Sequence, residues 1–182
     1  ADLLSQAEHG PDSQVILISD SSVFLQEVRN EVSNQLQQLP RKAVAEMALK
    51  NSRYILLKDK SDLIDLVNLY GPEHLIICHR EETYFLANLN NAGSVFLGNY
   101  TPESAGDYAS GTNHTLPTNG YSKQYSGVNL DSFMKTVTFQ RISPEGLKGI
   151  GPAIEVMADA EGLEAHKKAV SIRLGVLNSN QN

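Results

Sequence analysis

The 182-residue sequence predicts an α/β fold: a mostly parallel sheet flanked by helices, followed by a small helical tail at the C-terminal end. Two observations carry that prediction. Short runs rich in Val, Ile and Leu alternate with helix-period stretches between Gln14 and Gly98, the pattern of strands joined by crossover helices. The strand runs are also near-continuously apolar, as strands covered on both faces are.

Each element follows from its own signals. QVILIS (14–19) predicts the first strand. The stretch 21–39 sets Val23, Phe24, Val28, Val32, Leu36 and Leu39 on one helical face, with Ser21 or Ser22 as cap and Pro40 as its end. RKAVAEMALKN predicts a second helix and RYILLK a second strand; SDLIDLVNLYG reads as a helix capped by Ser61 and closed by Gly71. HLIICH, EETYFLANLNN and SVFLG then read as strand, helix, strand. Between Gly98 and Gly127 the chain turns to Gly, Ser, Thr, Asn and Tyr, and a stretch of that length without periodicity predicts a functional loop region. DSFMKTVTFQRIS predicts a short helix and a strand, and the remainder predicts helices broken near Gly149, Pro152 and Gly162. The division expected is an α/β domain over 1–128 and a small tail over 129–182.

Charge and composition narrow the function classes. A formal net charge of −6 argues against a nucleic-acid partner held by bulk electrostatics. The basic pairs Arg41–Lys42 and Lys167–Lys168 read as solvated helix faces. The apolar runs are strand-sized, far below the roughly 20 residues of a membrane span. The opening ADLLSQAEHGPD lacks the basic start and apolar stretch of a secretory signal. It also lacks an initiating Met and reads as the middle of a helix. The single cysteine, Cys78, excludes an internal disulfide; within LIIC it reads as a small buried apolar residue, and the cytoplasm is the default compartment.

Four constellations carry possible chemistry. Gly71 and Pro72 stop a helix just before Glu73 and His74, so the pair sits at a helix-to-strand junction, where an imidazole beside a carboxylate suits general base and water activation. Gln6 and His9, three apart on a predicted helix, share a face that suits two ligands of one metal. Asp107 lies between Gly106 and Gly111, which allow close backbone approach to a ligand, and His114 follows in the same loop. Glu161 and His166 straddle a predicted helix start. Taken singly, each has a plain structural reading: a solvated turn, an Asx turn, an exposed capped helix. His79 has no evident partner and receives no role. Together they supply nitrogen and oxygen donors enough for a divalent site, with imidazole favouring zinc.

The strings DLLSQAEHGPDSQ, YGPEHL, AGSVFLGNYTPESAGDYASGTNHTLPT and EGLEAHKKAV, in that order, closely resemble the C-terminal half of histidinol dehydrogenases. The resemblance runs from the first residue to about Val176. It implies a partial Rossmann-like sheet in a homodimeric zinc enzyme, one zinc per subunit, that oxidises L-histidinol to L-histidinal and then to L-histidine with two NAD molecules. It places the metal ligands on Gln6, His9 and Asp107, with His166 of the partner subunit as the fourth, and the catalytic pair on Glu73 and His74. Substrate contacts fall on Gln6, His9, His74, Asp107 and His114, with Glu161 and His166 supplied across the dimer by the tail. The family's NAD-holding residues lie upstream of the matching region, and no G-x-G-x-x-G replaces them here. The expectation is a fragment without its cofactor-binding residues that does not turn over histidinol alone. Rival readings are oxidation of another small alcohol on the same scaffold, a zinc hydrolase with Glu73 activating water, and a non-catalytic metal-binding or dimerisation module.

Overall fold

A computed structural model describes residues 1–179 of the chain. It divides into two compact units, Ala1–Met134 and one beginning at Lys135.

In the first unit a short helix, α1 (Asp2–Ala7), precedes β1 (Ile16–Ser19). Helices α2 (Ser22–Leu36) and α3 (Lys42–Asn51) then lead to β2 (Arg53–Leu56), which pairs parallel with β1, Ile16 opposite Arg53. Helix α2 starts where Ser21 Oγ accepts the Phe24 amide, satisfying one of the orphan donors of a helix start. It ends at Leu36, before Pro40. Helix α4 (Lys60–Tyr70) crosses to β3 (His74–Ile77), and α5 (Glu82–Asn88) crosses to β4 (Ser94–Leu97), parallel to β3 with His74 opposite Ser94. Among the described residues the strands thus form two parallel pairs. Two apolar clusters hold them: Leu4, Ala7, Val15, Val32, Leu36, Ala45 and Ala48 under the first pair, and Leu63, Ile64, Ile77 and Phe85 under the second. Ile18 of β1 and Leu57, just past the end of β2, pack against the second cluster.

Several local expectations are corrected. Helix α4 begins at Lys60 behind Asp59, so Ser61 lies inside the first turn and does not cap it; Gly71, at φ 65°, does close it. Cys78 is exposed, because β3 ends at Ile77 and the thiol turns outward to donate to the Gly98 carbonyl at 3.3 Å. The Gly-rich stretch is not all loop: it holds α6 (Glu103–Tyr108) and a 3-10 turn at Tyr121–Lys123. Helix α6 escapes periodicity because six residues are too few to show an apolar stripe. The segment 134–143 forms no strand, and Leu130–Phe133 is a 3-10 turn.

The second unit is a helical hairpin of α7 (Pro144–Ala160) and α8 (Glu164–Ser179). Helix α7 runs unbroken through Gly149 and Pro152. Between them, at Gly151, a Cβ would lie 2.9 Å from Leu174 and 3.2 Å from Val170, so α8 presses directly on the α7 backbone. The hairpin turns at Gly162, φ 69°.

Candidate metal and catalytic site

The site begins at the C-terminal end of α4. The αL turn at Gly71 redirects the chain, Pro72 follows, and Glu73 and His74 open β3. Their backbone is fixed by β4: the amides of Gly93 and Ser94 donate to the carbonyls of Pro72 and Glu73, both at 2.9 Å. Gly93 is required there, because a Cβ would stand 2.5 Å from the Glu73 carbonyl oxygen. Asn68 locks the same corner; its side chain accepts from the Asn90 and Asn91 amides and donates to the Asn88 carbonyl.

Beyond β4, α6 returns across the sheet edge and carries Glu103 and Asp107 one helical turn apart. Gly106 lets it approach, since a Cβ would meet the Phe96 ring at 2.7 Å. Phe96 in turn lies 6.1 Å from the His74 ring, centroid to centroid. The consequence is a tight group: ligand atoms of His74, Glu103 and Asp107 all lie within 4.8 Å of one another. Glu103 is 2% exposed, and its Oε1 stands 3.5 Å from His74 Nε2.

Helix α1 closes the group from another side. It ends at Ala7, so His9 falls just past it, yet the His9 amide still donates to the Gln6 carbonyl and keeps the two residues on one turn. Arg41 Nη2 donates to the His9 carbonyl at 3.3 Å, tying this turn to the start of α3. Gln6 and His9 act on the Glu103 carboxyl, and His9, itself exposed, also acts by its charge on His74, so this turn lies near the group. A cleft of about 1950 Å³ has Gln6, Glu73, His74 and Glu103 in its wall, together with β1 and β3.

Electrostatics follow from burial. Desolvation pushes the His74 imidazole below its ordinary value, against the opposing pull of Glu73 and Asp107, so its neutral form is favoured. Burial, then the hydrogen bond and negative charge of Asp107, raise the Glu103 carboxyl above its usual range, with Gln6 and His9 opposing. Three of these groups keep a buried atom without any hydrogen-bond partner: Gln6 Nε2, His74 Nε2 and Glu103 Oε1. Buried polar atoms left unpaired are uncommon in folded proteins, and three in one cluster of imidazole, carboxamide and carboxylates form a donor set that fits a divalent cation.

The predicted residues therefore divide. His74 and Asp107 come together with Glu103 in the first unit, with Glu73 next to His74 along the chain; Gln6 acts on Glu103, and His9 is exposed and reaches the group through its charge. His114 is exposed in the same unit. Glu161, the C-terminal cap of α7, and His166, in the first turns of α8, are exposed in the second. His79 has a structural partner: its Nδ1 accepts the Glu81 amide, and its ring meets Phe85 edge-on at 4.7 Å. Glu103 was absent from the sequence reading. The signal that could have found it is the i, i+4 pair of carboxylates in ESAGDY, separated by small residues.

The histidinol dehydrogenase family pattern matches residues 1–174. The chain belongs to that family. Among its relatives, the histidinol dehydrogenase of Bacteroides thetaiotaomicron is 59% identical over 97% of this chain. That of Vibrio vulnificus strain CMCP6 is 52% identical over 98%. The crystal structure of histidinol dehydrogenase from Elizabethkingia anophelis superposes with a TM-score of 0.91 at 58% identity, over 97% of this chain and 41% of its own. The chain spans about 41% of the length of the curated histidinol dehydrogenases it matches.

Proposed function

We propose that this chain carries the metal-binding and proton-transfer residues of a zinc- and NAD-dependent histidinol dehydrogenase, a cytoplasmic enzyme completing histidine biosynthesis. The observation that carries the reading is the convergence of Gln6, His74, Glu103 and Asp107 on one buried spot where three polar atoms lack partners, in a chain of that family. Gln6, His9 and Asp107 hold the metal, with His166 of the partner subunit completing the set in a homodimer. Bound zinc would orient the substrate's imidazole and amine and withdraw charge from them. NAD, held mostly by residues outside this chain, would accept the hydride in each of two oxidations.

The remaining chemistry belongs to this chain's side chains. His74, kept neutral by burial, takes the hydroxyl proton of L-histidinol at Nε2 as the hydride leaves the carbinol carbon. Glu73, adjacent to it, draws a proton from the water that adds to the aldehyde while His74 returns its proton to the aldehyde oxygen; the hydrate then gives up the second hydride and, to His74, a hydroxyl proton, leaving a carboxylic acid that ionises to the carboxylate. His114, with Glu161 of the partner subunit, contacts the substrate's polar ends. Holding the aldehyde in one site keeps a reactive intermediate from solvent.

The test replaces the matching segment of the Bacteroides thetaiotaomicron relative with this chain and measures NADH formation. Two NADH per L-histidinol are expected, falling at least a hundredfold in His74→Asn. A replacement that leaves the enzyme folded but inert, or one that prefers a simple alcohol over histidinol, would overturn the reading.

A further inference from the structure

The ligand set proposed above draws on α1, the turn after it, α6 and a second subunit. A smaller set is already assembled within this chain. Ligand atoms of His74, Glu103 and Asp107 lie within 4.8 Å of one another, while His9 is exposed and outside that group. Two of these atoms, His74 Nε2 and Glu103 Oε1, have no hydrogen-bond partner and stand 3.5 Å apart. Two ligands about 2.1 Å from a tetrahedral ion lie about 3.4 Å from each other, so this pair already has the spacing of one edge of a coordination shell. Glu103 is 2% exposed, and among the described residues no Lys or Arg pairs with it. A carboxylate buried so completely is costly unless donors or a cation offset it. The set is held by regular structure: His74 opens β3, which pairs with β4, and α6 rests on Phe96 of β4 through Gly106.

We propose that His74 Nε2, Glu103 Oε1 and a carboxylate oxygen of Asp107 form a second seat for a divalent cation, zinc fitting it best, built from one chain and independent of Gln6, His9 and the partner subunit. The inference goes beyond the proposed activity and would stand without it. Charge supports the seat: two carboxylates and a neutral imidazole balance a dication, and water fills the fourth position. The two seats share Asp107, and a second dication so close would repel the first with little negative charge left to offset it, so one ion occupies one seat at a time. Occupancy has a chemical consequence. A lone pair on His74 Nε2 that holds a cation cannot accept a hydroxyl proton, so an ion in this seat silences the base. Entry of His166 of the partner subunit favours the other seat and frees His74, which ties the base to assembly.

The test uses the purified chain carrying His166→Asn, which removes the partner's histidine from any dimer, with zinc affinity read by competition against a chromophoric chelator. In that background His74→Asn and Glu103→Gln should each weaken binding by at least about tenfold, while Gln6→Ala and His9→Asn change it by less than about threefold. Thermal melts of the metal-free variants check that each remains folded. A second measurement needs no further variant: in the chain labelled with 15N-histidine, zinc should shift the His74 Nε2 resonance and leave those of His9 in place. Loss of zinc on His9→Asn but not on Glu103→Gln would overturn the second seat and leave the ligand set of the proposed function intact. Equal losses in all four variants, or an unmoved His74 resonance in a zinc-loaded chain, would also overturn it. A chain that binds no zinc would overturn the seat and the reading of the unpaired atoms together.

Discussion

The two parallel strand pairs of the first unit are built alike, and they treat buried polarity in opposite ways. Ser52 and Glu103 are its two buried polar side chains, 9% and 2% exposed. Under the first pair, Ser52 Oγ accepts the Val15 amide at 3.0 Å and donates to the Ala48 carbonyl at 2.9 Å, so its hydroxyl is fully used and joins β1 to the end of α3. Beside the second pair, Glu103 Oε1 and His74 Nε2 face each other at 3.5 Å without a hydrogen bond. A satisfied buried polar group specifies structure; an unsatisfied one of comparable burial marks where something else is meant to bind.

The comparison can be broken at its supports. The largest effect is expected at Gly93, where a Cβ collides with the backbone of Glu73 at 2.5 Å. Gly93→Ala should cost about 3 kcal/mol, near the upper end for overpacking, and should also abolish zinc binding because β3 must shift. Urea unfolding and metal titration of the same preparation read both.

Next, Ser52→Ala strands the Val15 amide and should destabilise by about 1–2 kcal/mol, yet leave zinc affinity within twofold. A matching loss of zinc affinity would erase the distinction between the two pairs.

Glu103→Gln should do the reverse: weaken zinc but raise the stability of the metal-free chain, by about 1 kcal/mol at neutral pH. The sign follows from linkage. Because burial and Asp107 raise the folded carboxyl, the folded chain binds more protons than the unfolded one above the ordinary value of 4.5. Glu103's contribution is full below that value and is lost as pH rises through the folded one, so the variant's advantage should grow with pH in a series of urea melts.

The smallest effect concerns Cys78. Although exposed, its thiol is held above its ordinary value by partial burial, then by Asp2 and Glu82. It should alkylate more slowly than a free cysteine at neutral pH, and Asp2→Asn should speed it by no more than twofold.

The strand and helix alternation was legible because each strand holds a short apolar run and each long helix carries several turns of periodicity. The Glu73–His74 junction was legible because Gly71 and Pro72 bracket it so sharply. Helix α6 was not, being one and a half turns of small and polar residues whose place is set by Gly106 against Phe96, a contact between positions ten apart in sequence. Glu103 escapes with it, and Cys78, which the apolar run predicts to be buried, is exposed because the end of β3 at Ile77 is fixed by pairing with β4. Helix α7 shows the same limit: it runs on through Pro152, and at Gly151 it packs against α8, a contact no local signal announces.

The most direct measurement is zinc per chain, by elemental analysis with solution mass at neutral pH, on the unmodified chain beside Asp107→Ala. The account predicts one zinc per chain that Asp107→Ala loses. Zinc no higher than in that variant would contradict the reading of the unpaired cluster as a metal site.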